Sequence, residues 1–433
     1  MATNTLANLG RLNRVAVVIP RTQLEAIPIA DSLRTIDELD VEGRRVLLRA
    51  DFNVPLHRPR SGGPIEVADD TRIRAALETI ADLRARGARL VLVSHLGRPK
   101  GPDPALSMRP VADRLAELTG APVLLAPAVT GPEVVALSER LASGEMLMLE
   151  NIRYEPGETR NDPELVSALA ELADVYVNDA FGTAHRAHAS TEGIAHRLPS
   201  AAGRLMEREV STLQAIVERA DRPLVAILGG AKVTDKIGVV ERFLELADLL
   251  CIGGAMCFPF LAAQGHRVGA SLCPEEDVAS ARRVLAAAAG SSCRFELPID
   301  LSLAPEGQDE ASRRVLDGVE VPDGWSGLDI GPRTSARYAA EIAAAGTVFW
   351  NGPMGRFELD QFAAGTRAVA EAVAATPART VVGGGETVEA MRSFGLEDRV
   401  THLSTGGGAT LEFLEGRELP GVHALTITAV SAR

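Results

Sequence analysis

The chain has 433 residues, 46% of them hydrophobic, a formal net charge of −13 and four cysteines. That length and apolar content can bury a large core over about two or three domains, and the acidic balance argues against non-specific nucleic-acid binding, which needs a basic face. The longest apolar run near the start, Val15 to Ile19, is far short of the roughly 20 residues that span a bilayer, and later runs are interrupted, so the chain reads as soluble and without a membrane segment.

Residues 1–30 carry three arginines and no acid before Glu25, while Pro20 and Pro28 interrupt any amphipathic helix. They read as a poorly ordered extension rather than a targeting signal. From Arg45 the chain alternates strand-like and helical stretches: RVLLRADFNVP, a helix over 72–86, LVLVSHLGRP, a helix over 109–119, PVLLA, EMLMLENIRY, a helix over 163–173, and VYVNDAF. That order implies a parallel sheet covered on both faces.

After the polar stretch 182–203, a long helical segment from about Leu205 to Ala220 leads into a second series: LVAILGG, LLCIGGAM, FELPIDLSLA, TVFWNGPMG, TVVGGGET and VTHLSTGGGAT. The fold class expected is therefore α/β, with two doubly wound parallel-sheet, Rossmann-like domains joined by a hinge helix. The expected divisions are a first domain over 31–204, the hinge helix over 205–222 and a second domain over 223–415. Cys251, Cys257, Cys273 and Cys293 match neither a CxxC pair nor a zinc set. They read as reduced thiols in a reducing, cytoplasmic compartment.

Loops of the first half carry Asp51 and Asn53 (ADFNVP), Arg72 (TRIR), His95 and Arg98 (SHLGRP), Arg153 (ENIRY), and His185, Arg186 and His188 (GTAHRAHAS). Singly, each is a solvated surface residue. Most follow a predicted strand, however, so they should converge at one sheet edge, where several guanidinium forks would hold a small di-anion.

In the second half, PLVAILGGAKVTDKIGVVE (223–241) reads as a buried strand, a turn at Gly229-Gly230 and a helix. A glycine turn lets backbone approach an anion, and a helix N-terminus offers unpaired N–H groups. Only Lys100, Lys232 and Lys236 are lysines among 45 basic residues, so the pair four apart in this turn stands out as a nucleotide phosphate site with both ammonium groups on one helical face. Further glycine turns at 253–254, 331–332, 351–353, 383–385 and 406–408 follow apolar runs and suggest a surface for base, ribose and phosphates. Glu358 is a candidate ribose acceptor and Glu386 a candidate ligand for the Mg²⁺ that accompanies a polyphosphate.

No GxxxxGK[ST] loop, HRD/DFG pair or GxSxG elbow occurs. A carboxylate acceptor would explain the missing base, since it is already ionised at neutral pH and needs only charge neutralisation and in-line positioning.

The stretches ADFNVPL, SHLGRP, ENIRY, VNDAFGTAHRAHAST, LGGAKVTDKI, GLDIGP, WNGPMGRFE, VGGG and STGGGATLEFLEGRELPGV resemble, in order, the signature of the phosphoglycerate kinase family over about residues 31–425. The resemblance implies reversible transfer of the ATP γ-phosphoryl group to the carboxylate of 3-phosphoglycerate, with Mg²⁺ accompanying ATP or ADP. It further implies a monomer acting on small molecules, with no nucleic-acid or membrane partner, and a tail (416–433) returning to the first domain. Substrate would be held by Asp51, Phe52, Asn53, Arg72, His95, Leu96, Gly97, Arg98, Arg153 and Arg186. Nucleotide would be held by Gly229, Gly230, Ala231, Lys232, Lys236, Gly253, Gly327, Asn351, Pro353, Glu358, Gly384, Gly385, Glu386 and Thr387, with Glu386 on the metal. Arg72, Lys232, Gly384 and Gly407 would be the catalytic set.

Four departures stand against that pattern. Glu386 replaces the family's Asp, GGAMCFPF (253–260) has Ala255 and Pro259 where a third glycine and a non-proline residue are usual, the loop over 57–64 is longer, and the extension over 1–30 is foreign to it. They point to a pathway other than central glycolysis and leave two alternatives open: a paralogue phosphorylating a different small carboxylate, or a non-catalytic nucleotide-binding protein.

Overall fold

The computed structural model describes residues 29–59, 62–307 and 313–427. All but the last two residues of the expected extension lie outside that set. Among the described residues, apolar β-branched runs form two six-stranded sheets in which every paired strand is parallel.

The first sheet is built from β1 (Arg45–Arg49), β4 (Arg89–Val93), β5 (Val123–Leu125), β6 (Met146–Met148), β7 (Val175–Asn178) and β8 (Ser200–Ala202), in the order β5-β6-β4-β1-β7-β8. The second contains β9 (Leu224–Leu228), β10 (Leu249–Ile252), β11 (Arg294–Glu296), β15 (Thr347–Asn351), β16 (Arg379–Gly383) and β17 (His402–Leu403), in the order β11-β10-β9-β15-β16-β17. Their central strands are buried on both faces, as parallel strands under helices must be.

In each sheet the winding reverses beside the first strand, between β1 and β7 and between β9 and β15. A crevice opens at such a reversal, at the carboxyl ends of the strands. The loops leaving these four strands begin at Ala50, Asp179, Gly229 and Gly352, which places the ADFNVP, DAFGTAHR, GGAK and GPMG motifs at the two crevices.

Helix Arg204–Arg219 connects the sheets, matching the expected segment to within a residue at each end. Buried Glu209 on it accepts from Thr405 N (2.7 Å) and pairs with His402 Nε2 (2.8 Å), so the connecting helix grips the last strand of the second sheet. The last described residues return to the first half, where Gly421 N donates to Ala184 O (2.8 Å) and Leu33 bridges Thr426.

The structure departs from the expected elements in several places. The 72–86 helix is two, Thr71–Ala75 and Leu77–Ala85, separated at Ala76. FELPIDLSLA splits: β11 joins the main sheet, while β12 (Leu301–Pro305) pairs antiparallel with β13 (Arg314–Leu316) and β14 (Trp325–Ile330). Asp300, between them, accepts from Arg333 N (2.9 Å) and Thr334 N (2.8 Å) and fixes that corner. Helix Pro132–Arg140 and the two-residue hairpin strands β2 (Leu56–His57) and β3 (Glu66–Val67) are additional. No described helix is long and apolar enough to cross a membrane.

Candidate active site

The arginines of the first half converge. A cavity of about 330 Å³ is lined by Asp51, Arg72, His95, Arg98, Arg153 and Arg186, and is closed from the other half by Thr405 to Gly408. Their loops are cross-braced: Asn53 Oδ1 accepts from Gly97 N (2.8 Å), and the Asn151 side chain accepts from Leu96 N (3.1 Å) while donating to Leu96 O (2.7 Å) and Leu106 O (2.9 Å). The side chains of Phe52 and Leu96 lie in the core instead, so those two expected contacts reduce to backbone that sets the loops.

Charge crowding marks the cavity as an anion site. Burial, and then the cations Arg186, Arg49 and Arg98, lower the Arg153 pKa against the opposing pull of Glu158, and its buried Nε has no hydrogen-bond partner. Burial pushes the Asp51 carboxyl up, but His95, Arg72, Arg49 and the Asn53 N–H together hold it below its ordinary value. Arg72 Nη1 lies 2.9 Å from Asp51 Oδ2, so the carboxylate aims that guanidinium along the cavity wall.

One cation escaped the sequence reading. Arg49, at the end of β1, is 1% exposed. Its Nε donates to Ser190 Oγ (3.0 Å), which in turn donates to buried Glu158 (2.7 Å), and Nη2 lies 3.2 Å from His95 Nδ1. The available signal was a charged residue directly after the apolar run 46–48, since a buried charge demands partners.

Burial, aided by Arg49, Arg153 and Arg186 and opposed by Asp51, lowers the His95 pKa from 6.5 to about 3. His95 is therefore neutral at pH 7, and Arg72 and Arg49 carry the ionic stabilisation of Asp51. Because the folded pKa lies below the unfolded one, folding stability is fully present above about pH 6.5 and is lost as pH falls toward 3. This one ring contributes on the order of 5 kcal/mol to that loss. Urea titrations of wild type and His95→Asn at pH 7 and pH 4.5 should show a smaller acid-induced drop in midpoint for the variant. Equal drops would refute the assignment.

The nucleotide side differs in detail from expectation. Residues Thr234–Lys236 form a 3₁₀ turn and the regular helix, Ile237–Leu246, begins only afterwards. Buried Val233 and the Thr234 N–H on Asp277 (3.1 Å) pin the segment before the helix starts. The two lysines consequently do not share a helical face. Lys232 is exposed, whereas Lys236 Nζ donates to Gly229 O (2.7 Å) and Asn351 O (3.2 Å), clasping the loops that leave β9 and β15. Neither lysine lines the arginine cavity.

Gly229 is required by packing: a β-carbon there would sit 2.2 Å from Pro353 O. Gly253 is similarly filled by Met354 and Gly327 by the Phe258 ring, while Gly230 N donates to Pro353 O (3.0 Å). Gly385 and Gly407, by contrast, present backbone to open space. Thr387 is buried and accepts from Gly352 N (2.6 Å), which makes it a brace between turns. Ala231 and Glu358 are exposed. Pro259 is the third residue of helix Cys257–Ala263, where a missing N–H costs nothing, and Ala255 lies outside the left-handed region, so neither substitution distorts the turn.

For a metal, the described residues hold no cluster of three acidic, His or Cys ligands. Glu386 is exposed on the first turn of helix Gly385–Ser393, next to its N-cap Gly384, and buried Asn351 Nδ2, which has no hydrogen-bond partner, lies against the same glycine. One carboxylate beside an open helix start fits an ion that takes its other ligands from polyphosphate and water.

A second cavity of about 850 Å³ runs between the halves, lined by Thr71, Arg72 and Arg208 on one side and Gly385, Val388 and Gly407 on the other. Arg72, Thr405 and Gly407 line both cavities, so anion pocket and cleft meet at those three residues.

An arginine-lined anion pocket on one parallel-sheet lobe, facing glycine turns and a helix start on another, defines a two-lobed α/β phosphotransferase. Comparison with known proteins makes this specific. The family model described as phosphoglycerate kinase matches residues 36–417, and the chain belongs to that family. It is 54% identical over 393 residues to the phosphoglycerate kinase of Rubrobacter xylanophilus, covering 90% of this chain and 98% of that one, and 53% identical to that of Desulforudis audaxviator over the same shares. Among solved structures, phosphoglycerate kinase from Coxiella burnetii superposes with a TM-score of 0.81 at 38% identity, covering 93% of this chain and 100% of that one. The enzyme from Pyrococcus horikoshii gives 0.77 at 32%, covering 91% and 98%.

Proposed function

We propose that the protein transfers the ATP γ-phosphoryl group to the carboxylate of 3-phosphoglycerate, giving 1,3-bisphosphoglycerate and ADP, reversibly, as a reaction of glycolysis, in place of the separate pathway to which the sequence departures pointed. The observation that carries this reading is the meeting of the arginine cavity and the inter-lobe cleft at Arg72, Thr405 and Gly407.

Arg98, Arg153 and Arg186 hold the phosphate of the acceptor, and Asp51, Asn53 and neutral His95 orient the rest of it. A carboxylate oxygen attacks the γ-phosphorus while the bond from phosphorus to the β,γ-bridging oxygen breaks, and ADP leaves with that electron pair. No proton moves, so no general base is required. Arg72 and the amides near Gly407 and Gly384 stabilise the charge spread over the transferring group. Lys232 is the ammonium that follows that group, while Lys236 maintains the turn beneath it. Mg²⁺ held by Glu386 neutralises polyphosphate charge when bound.

The working unit we propose is a monomer of two lobes, 31–204 and 223–415, hinged on 205–222 and tied by the tail 416–433. It acts in the cytoplasm without nucleic-acid or membrane partners. A coupled assay with MgATP and 3-phosphoglycerate, run beside other small carboxylates, tests the reading. Turnover with 3-phosphoglycerate supports it, and turnover only with another acid replaces the substrate. Binding without turnover, measured by calorimetry, removes the enzyme.

A further inference from the structure

Two adjacent carboxylates precede the helix that carries Arg72, and they face in different directions. Asp70 is held within the first lobe by Arg74 Nε (2.8 Å) and by Arg114 Nε (2.9 Å) and Nη2 (2.7 Å). Asp69 reaches across the cleft. Its Oδ1 accepts from Thr71 N (2.8 Å) and Thr71 Oγ1 (2.6 Å), fixing the first turn of helix Thr71–Ala75, and its Oδ2 accepts from Arg392 Nη1 (2.6 Å).

Arg392 stands in the last turn of helix Gly385–Ser393, whose other end carries Gly384 and Glu386. A single ion pair thus joins the helix that opens on the nucleotide glycines to the turn that sets Arg72. Both partners line the cleft. Burial acts against the Asp69 carboxylate, but the two Thr71 bonds and Arg392 hold its pKa below the ordinary value, Asp70 opposing them.

We infer that Arg392 and Asp69 form a lobe-to-lobe latch that positions Arg72 against the transferring phosphoryl group, making Arg392 a positioning residue for turnover. The inference rests on the proposed activity for its kinetic consequence, while its geometric consequence is independent of that activity. Arg392 touches Asp69 on the wall of the cleft and neither lines the arginine cavity, so the pair should influence the rate without contributing to acceptor binding. A pair exposed to this degree, with side chains 42% and 28% accessible, is screened by salt, which supplies a signature that a packing role lacks.

The test is a double-mutant cycle of Asp69→Asn, which keeps the Oδ1 acceptor for Thr71, and Arg392→Gln, with both substrates saturating. Each single variant should lower kcat about three- to tenfold with KM values unchanged within about twofold, and the double variant should be no worse than either. The difference from wild type should vanish at about 0.5 M salt. Small-angle scattering with both substrates should show a larger radius of gyration in each variant. Multiplying losses in the double variant, a fall in melting temperature with kcat intact, or an unchanged radius would overturn the latch. A wild type without turnover would sink the functional reading while leaving the scattering result to decide the latch.

Discussion

Arg72→Ala should lower kcat about a thousandfold while KM for 3-phosphoglycerate rises only about threefold, because Arg98, Arg153 and Arg186, which line the anion cavity and which we propose hold the acceptor phosphate, remain in place. Arg72 sits where the anion cavity opens into the cleft, so its charge acts where transferring oxygens accumulate charge rather than where the substrate phosphate rests. An interaction realised mainly in the transition state appears in kcat when removed, and a thousandfold corresponds to about 4 kcal/mol. Arg72→Lys should recover part of the rate, since it restores charge without the bidentate fork that also reaches Asp51. Steady-state kinetics decide the matter: a loss confined to KM would return Arg72 to simple substrate binding. Circular dichroism and a melting curve control for the loss of the Asp51 partner, which is only 12% exposed and keeps Arg49 nearby.

That Arg72 and its neighbours could be read from the chain has a physical cause. Parallel strands deliver their following loops to one sheet edge, so polar residues after ADF, VSH, ENI and VNDA converge whatever the intervening helices do. Arg49 was missed because it is the last residue of a strand buried on both faces, where the local pattern gives no hint of the Ser190 and Glu158 partners some 110 to 140 residues away. The Asp69–Arg392 pair is further out of reach, its members 323 positions apart, one in the loop before a helix and the other in the last turn of a different helix. The small antiparallel sheet went unread because β12 is as apolar as a parallel core strand, and it is buried Asp300 that decides where the chain turns away.

The lysine pair shows the same limit from the other side, and it supplies the second large effect. Spacing of four made Lys232 and Lys236 equivalent in sequence. The 3₁₀ turn at Thr234–Lys236 makes them unequal in space, one ammonium exposed and the other spent on the carbonyls of Gly229 and Asn351. Lys232→Ala should therefore lower kcat on the order of a hundredfold or more with nucleotide affinity changed less than about threefold, because its charge is free to follow the moving phosphoryl group. Lys236→Met should behave in the opposite sense. Losing the clasp between the two strand-end loops removes the ammonium donor from Gly229 O, while Asn351 O keeps only Gly229 N (3.0 Å), so the melting temperature should fall and KM for MgATP should rise before kcat suffers. Calorimetry of nucleotide binding beside steady-state kinetics on both variants separates the roles. If Lys232→Ala weakens binding as much as it slows turnover, the charge acts in the ground state and the division between the two lysines fails.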